Sequence, residues 1–160
     1  KVQAMKGNPE ILNALNDLLR GELTAVDQYL AHGELLADMG LAKLAEHAIH
    51  ESDHEREHAR ALIQRILFLE GTPNLADRDT INVQTDVKAM LEADLAYEYK
   101  VDEHLKQVVA LCERERDYAT RDMLVIQIKD TEEDHTYFLE QQLRLIEMMG
   151  IQNYLQSQMA

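Results

Sequence analysis

The chain has 160 residues and carries 16 Lys and Arg against 30 Asp and Glu, a net charge of −14. That length is one domain's worth and buries a sizeable core, while the acidic surplus excludes nucleic acid, whose phosphates demand a basic face, and an anionic membrane surface. No apolar run reaches the length of a membrane span and no signal-peptide pattern opens the chain, so a cytoplasmic protein is expected. With two prolines and six glycines, and with Ala, Leu, Glu, Gln, Lys, Arg and Met dominant, the composition favours helix throughout.

Four long helical segments are predicted in chain order, over 9–39, 42–70, 84–115 and 118–149, with a short fifth helix over 151–159. Pro9 stands at the first turn, where a missing N–H costs nothing. Met39-Gly40 interrupts the first pattern, and Gly71 to about Thr85 is a long polar connection without a helical stripe. The charged run Glu113 to Asp117 separates the third and fourth segments, and Gly150 closes the last. Helices of about 30 residues are roughly 45 Å long. Two short turns and one long middle loop describe an all-α four-helix bundle whose crossover leaves the second and third helices parallel. Cys112, the single cysteine, lies among Val108, Val109 and Leu111 and reads as a buried, inert thiol.

Advancing 100° per residue places one glutamate on each apolar stripe. Glu22 lies among Ile11, Leu15, Leu18, Leu19, Val26, Tyr29 and Leu36; Glu55 is in line with Leu41, Leu44, Ala48, Ala59, Leu62 and Ile66. Glu98 is central to Val87, Leu91, Leu95, Val101, Leu105, Val109 and Cys112, and Glu132 is in line with Val125, Ile128, Leu139, Leu143 and Ile146. One such glutamate is usually a boundary residue that reaches water. Four facing one another would split the bundle, since each unpaired buried carboxylate costs several kcal/mol, unless cations bind between them.

Glu55 and Glu132 also lead the spacing Glu-x-x-His, to His58 and His135, which puts both side chains within reach of one ion. The spacing alone is weak, because roughly one such pair is expected by chance in a chain this acidic, and Glu51…His54 is a further instance. His54 falls more than about 100° from the stripe centre, so that pair is expected at the surface. Two single glutamates and two Glu-x-x-His pairs match the ligand pattern already known for ferritin-like di-metal bundles. Four carboxylates balance two divalent ions, and mixed carboxylate and imidazole donors suit iron or manganese, with zinc a competitor.

Beyond the metal ligands, the chain resembles the bacterioferritins of the ferritin superfamily from Met5 to about Gln158. The likeness is carried by Glu22-Leu-Thr-Ala-Val-Asp-Gln-Tyr29, Arg65-Ile-Leu-Phe-Leu-Glu-Gly-Thr-Pro-Asn-Leu75, Met90-Leu-Glu-Ala-Asp-Leu95 and Met149-Gly-Ile-Gln-Asn-Tyr-Leu-Gln156. Residues 1–4 fall outside it, as an extension. The resemblance implies a 24-subunit cytoplasmic shell that oxidises Fe²⁺ with O₂ or H₂O₂ at an intrasubunit di-iron site and stores ferric mineral. It implies Glu22, Glu55, His58, Glu98, Glu132 and His135 as ligands, Glu55 and Glu132 bridging the irons. Tyr29 matches a tyrosine beside the site that supplies an electron; ordinary core packing is an equal reading.

The chain departs from the family in three places. The methionine that ligates haem between paired bacterioferritin subunits is Arg56 in this chain, and a guanidinium cannot act as a soft axial ligand. A homo-oligomer is therefore expected without haem, or a hetero-oligomer with a haem-binding subunit. His50 and His54 stand where the family binds a further iron on the inner surface through a His and an Asp; a pair of surface histidines is the other reading. Lastly, the fourth helix holds one extra residue between Arg121-Asp122-Met123 and Glu132, an insertion commonly absorbed as a π-bulge. The competing functions are a cage subunit with an idle site, a di-iron oxidoreductase that stores nothing, and a small cage with its site between subunits. A single cysteine argues against a rubredoxin-bearing peroxidase. The family's release of iron through a small ferredoxin is a further implied partnership.

Overall fold

The computed structural model describes residues 6–159, so the extension expected over residues 1–4 lies outside the described residues. Six α-helices follow in order: α1 Pro9–Asp38, α2 Ala42–Phe68, α3 Val87–Arg114, α4 Tyr118–Asp130, α5 Tyr137–Met149 and α6 Ile151–Ser157. α4 and α5 are one rod joined by a π-helical turn, Thr131–Thr136. The extra residue of the fourth segment is absorbed there. The long helices begin and end within three residues of their expected bounds, and α6 two residues early.

Local chemistry starts and stops the rods. Asn8 accepts from the Glu10 N–H at 2.8 Å with Pro9 at the first helical position, and Asp86 and Asp117 cap α3 and α4 in the same way. The ends of α1, α2 and α3 share one device. A residue at positive φ, Gly40, Glu70 or Arg116, lets the next N–H reach back five residues, to Leu36, Ile66 and Cys112 respectively.

Pairing is antiparallel for α1 with α2 and for α3 with the α4–α5 rod. Ser52 Oγ donates to the Val26 carbonyl at 2.9 Å, and Lys106 bridges to Glu132. α1 also runs antiparallel to α3, where Tyr29 meets Glu98 and Arg114 meets Glu10. α2 and α3 are thus parallel, as the crossover demands. The crossover itself, without regular structure, is pinned along α1. The N–H groups of Asn74, Asp79, Asn82 and Gln84 donate to Asn16, Thr24, Gln28 and His32, at 2.8 to 3.0 Å. A long loop stays ordered because these side chains replace the ladder it lacks.

Two apolar cores fill the bundle. One holds Leu15, Leu19, Leu62, Ile66, Leu105, Cys112 and Leu124; the other holds Leu36, Leu44, Met90, Leu91, Leu139 and Tyr154. Cys112 is fully buried, and burial pushes its thiol up to about 11, as suits an inert group. In the α4–α5 rod the buried positions are Thr120, Leu124, Gln127 and Thr131, then His135, Thr136, Leu139, Gln142 and Ile146. Val125, expected on the stripe, is exposed. The π turn adds a residue, so everything before it is rotated by one position relative to a constant 100° step. No helix of the described residues is long and apolar enough to cross a membrane.

Candidate metal centre

Between the two cores lies a layer of buried polar side chains. Glu22, Glu55 and Glu98 are each 1 % exposed, and His135 is 1 % exposed. Two groups of donor atoms form there. Glu22, Glu55 and His58 make the first; Glu55, Glu98 and His135 make the second, so Glu55 belongs to both. His58 Nδ1 is 3.5 Å from Glu22 Oε2 and from Glu55 Oε2, while His135 Nδ1 is 2.7 Å from Glu55 Oε1 and 3.3 Å from Glu98 Oε1. Both oxygens of Glu22, Oε2 of Glu98 and Nδ1 of His58 are buried without a hydrogen-bond partner. Orphaned buried donors and acceptors cost about 1–3 kcal/mol each, and they converge on two points that suit cations. The residues therefore fit a pair of metal ions.

Protons hold the centre together without metal. Burial and the neighbouring Glu55 raise the Glu22 carboxyl to about 8. Burial would also raise Glu55, as would Glu98, but the adjoining Glu22, His135 and His58 outweigh both and hold it below the usual carboxylate range. Burial disfavours the His58 cation, yet Glu22 and Glu55 bring it up to about 11. His135 is raised further still: Glu51, Glu55 and Glu98 overcome its burial. Two imidazolium rings thus offset the carboxylates around them.

Around this centre, Tyr29 is buried and its hydroxyl donates to Glu98 Oε1 at 2.7 Å. Burial and the nearby carboxylates push its phenol well above the ordinary value. Asp130 faces the outer nitrogen of His58 at 3.1 Å, which orients the ring in the way carboxylates support metal-binding histidines.

Five of the six residues expected as ligands are brought together; Glu132 is not. Its side chain is 45 % exposed and pairs with Lys106 Nζ at 2.8 Å, beside Asp102. Thr131, 1 % exposed, takes the inward position, its hydroxyl donating to the Gln127 carbonyl at 2.8 Å. The π turn is the cause, since it turns residue 131 to the layer where an unbroken helix would put 132. Glu51, expected at the surface, is instead 2 % exposed, with Oε2 2.7 Å from His135 Nε2. Its spacing of four from Glu55 was the signal, because residues i and i+4 share a face; His54, the residue that set the earlier reading, is 40 % exposed. His50 is exposed, its ring centroid 4.2 Å from that of His54, and Arg56 is exposed.

The ferritin-like domain matches residues 12–149. A bacterial ferritin of Synechocystis sp. is 54 % identical over 156 residues, covering 98 % of this chain and all of the relative. A bacterial ferritin of Neisseria meningitidis serogroup B is 51 % identical over 155 residues, 97 % of this chain and all of the relative. A bacterioferritin of Mycolicibacterium paratuberculosis is 41 % identical over 150 residues, 94 % of each chain.

Proposed function

The chain belongs to the ferritin family, and from that premise we propose that it stores iron, oxidising Fe²⁺ at the buried centre and depositing ferric mineral inside a 24-subunit shell. The observation that carries the reading is the pair of donor groups sharing Glu55, with unpartnered carboxylate oxygens aimed between them. Glu22, Glu55 and His58 would hold one Fe²⁺, and Glu55, Glu98 and His135 the other. Three ligand carboxylates with Glu51 beside His135 supply four negative charges, which balance two divalent ions without Glu132.

Iron is the substrate. Each ion gives up one electron, so two together reduce O₂, with two protons, to H₂O₂, or reduce H₂O₂, with two protons, to two waters. The chain's part is to hold the pair at adjacent sites in a layer closed by Leu and Ile above and below. Asp130 keeps the His58 ring in place. Tyr29, hydrogen-bonded to Glu98, is positioned to supply a further electron and its phenolic proton to a partly reduced oxidant.

Arg56 in place of a haem-ligating methionine makes a homo-oligomer without haem the leading assembly; co-assembly with a haem-binding subunit is the alternative. Release of iron through a ferredoxin is carried over from the family.

The displacement of Glu132 favours a second reading, a cage subunit whose own site is slow or idle. Aerobic addition of Fe²⁺ to metal-free protein, well beyond two ions per chain, separates these. A fast phase ending near two irons, followed by growth of soluble mineral in an intact shell, supports oxidation and storage. Arrest at two irons identifies an oxidoreductase that stores nothing. Absence of the fast phase selects the idle subunit.

A further inference from the structure

We propose that a small cavity in the second apolar core is a site for molecular oxygen beside the paired centre, with the stacked rings of His47 and Phe138 as its door. The choice of gas rests on the reading of the chain as an iron oxidase; the cavity itself does not. It measures about 20 Å³ and is walled by Leu36 of α1, Leu44 and Ala48 of α2, Met90 and Leu91 of α3 and Leu139 of α5. All six are buried. About 10–15 Å³ admits one water, so the space takes a single molecule of about that size. Unfilled space in a core costs stability, and one larger residue at Ala48 would remove it.

The chemistry of the walls selects the guest. Asp94, the carboxylate on the wall, accepts from Gln28 Nε2 and faces His32 Nδ1 with the same oxygen, each at 2.9 Å. The hydroxyl of Tyr29, also on the wall, donates to Glu98 Oε1 at 2.7 Å. Among the described residues, none of the buried side-chain atoms left without a hydrogen-bond partner belongs to a wall residue. A water needs several polar partners, and H₂O₂ has the same need, so both lose more on entry than the walls return. A neutral diatomic that makes no strong hydrogen bonds leaves water without that loss and gains dispersion contacts with the surrounding carbon.

The cavity has an outer and an inner end. His47 and Phe138 are the half-buried members of its lining, and their rings stack with centroids 3.5 Å apart. His47 also lines an outer cleft of about 400 Å³ with Lys43, Glu46 and His50, so one imidazole ring stands between cleft and cavity. Rotation of that side chain opens the way without moving a helix. At the inner end Tyr29 lines the cavity and reaches Glu98 of the paired centre with its hydroxyl. A molecule held in the cavity is one tyrosine away from the metal layer.

The test begins with the gas site and only then reads its use. Crystals of metal-free protein are pressurised with krypton, which is close to O₂ in size and scatters anomalously. A peak between Leu44, Ala48 and Leu91 in the unaltered protein, stronger in Leu139→Val and absent in Ala48→Val, supports the site. In stopped-flow oxidation of Fe²⁺, Ala48→Val raises the O₂ concentration for half-maximal rate about threefold or more, while oxidation by H₂O₂ and binding of Zn²⁺ are unchanged. Absence of krypton from the unaltered protein, or an ordered water in its place, would overturn the proposal. So would the same O₂ dependence in Ala48→Val and unaltered protein, or equal slowing with H₂O₂. A krypton peak in a protein that oxidises no Fe²⁺ would keep the gas site and sink the oxidase reading.

Discussion

Loading the centre with metal must expel protons, and the structure sets how many. Without metal at pH 7, Glu22, raised to about 8, is mostly protonated. His58, raised to about 11, carries its extra proton, and so does His135, raised further. Ligation needs a carboxylate and two neutral imidazoles. Binding two Zn²⁺ ions at the paired sites therefore releases about three protons per chain. Calorimetric titration over the first two equivalents, repeated in buffers of different ionisation enthalpy, reads that number directly. Fewer than about one proton per chain would refute the view that protons stand in for the ions.

The same shifts give the metal-free protein a pH-dependent stability. Glu22 rises on folding from 4.5 to about 8, so its contribution is full below 4.5 and is lost as pH climbs through 8. His58 rises from 6.5 to about 11, so its contribution is full below 6.5 and is lost through 11. The melting temperature of metal-free protein falls between about pH 6 and about pH 10, and Zn²⁺ flattens the fall. A melting temperature that rises across this interval without metal would contradict the assignment.

Glu132→Gln, altering a side chain paired to Lys106 outside the centre, leaves the affinity for the first two Zn²⁺ ions within about threefold, whereas Glu98→Gln weakens the second by about a hundredfold; loss of the second ion in Glu132→Gln would mean that metal draws the residue inward. Tyr29→Phe removes a hydrogen bond to a buried carboxylate and costs about 1–3 kcal/mol in urea unfolding of metal-free protein, while both ions still bind and Fe²⁺ oxidation slows; unchanged stability would sever Tyr29 from Glu98. Gly33→Ala, favourable for an isolated helix, destabilises by about 1–3 kcal/mol, because its Cβ would lie 2.5 Å from Ile49 Cδ1 and 3.3 Å from the Ile49 backbone nitrogen; a raised melting temperature would show that α2 yields.

Helical periodicity, caps and the glycine breaks were enough to read four rods, a crossover and parallel α2 and α3 from the sequence, because each is decided within a few residues along the chain. Glu22, Glu55 and Glu98 were legible as carboxylates in the middle of apolar stripes, and His58 and His135 by their spacing from a glutamate, whereas Glu132, read by the same rule, lies outside the centre beside Lys106. What the chain alone left open was the fate of one inserted residue. Its presence shows only against the pattern of the family the chain resembles, and a constant 100° step carries no record of which turn absorbs it. That choice belongs to packing. Thr120, Leu124, Gln127 and Thr131 on one side, and Leu139, Gln142 and Ile146 on the other, are each buried against the rest of the bundle. The strain between these two registers is taken up over Thr131–Thr136. The tertiary structure thereby puts Glu132 beside Lys106, Thr131 in the core and Glu51 against His135, since a rotation of one residue is invisible locally and decisive for which carboxylate faces a metal.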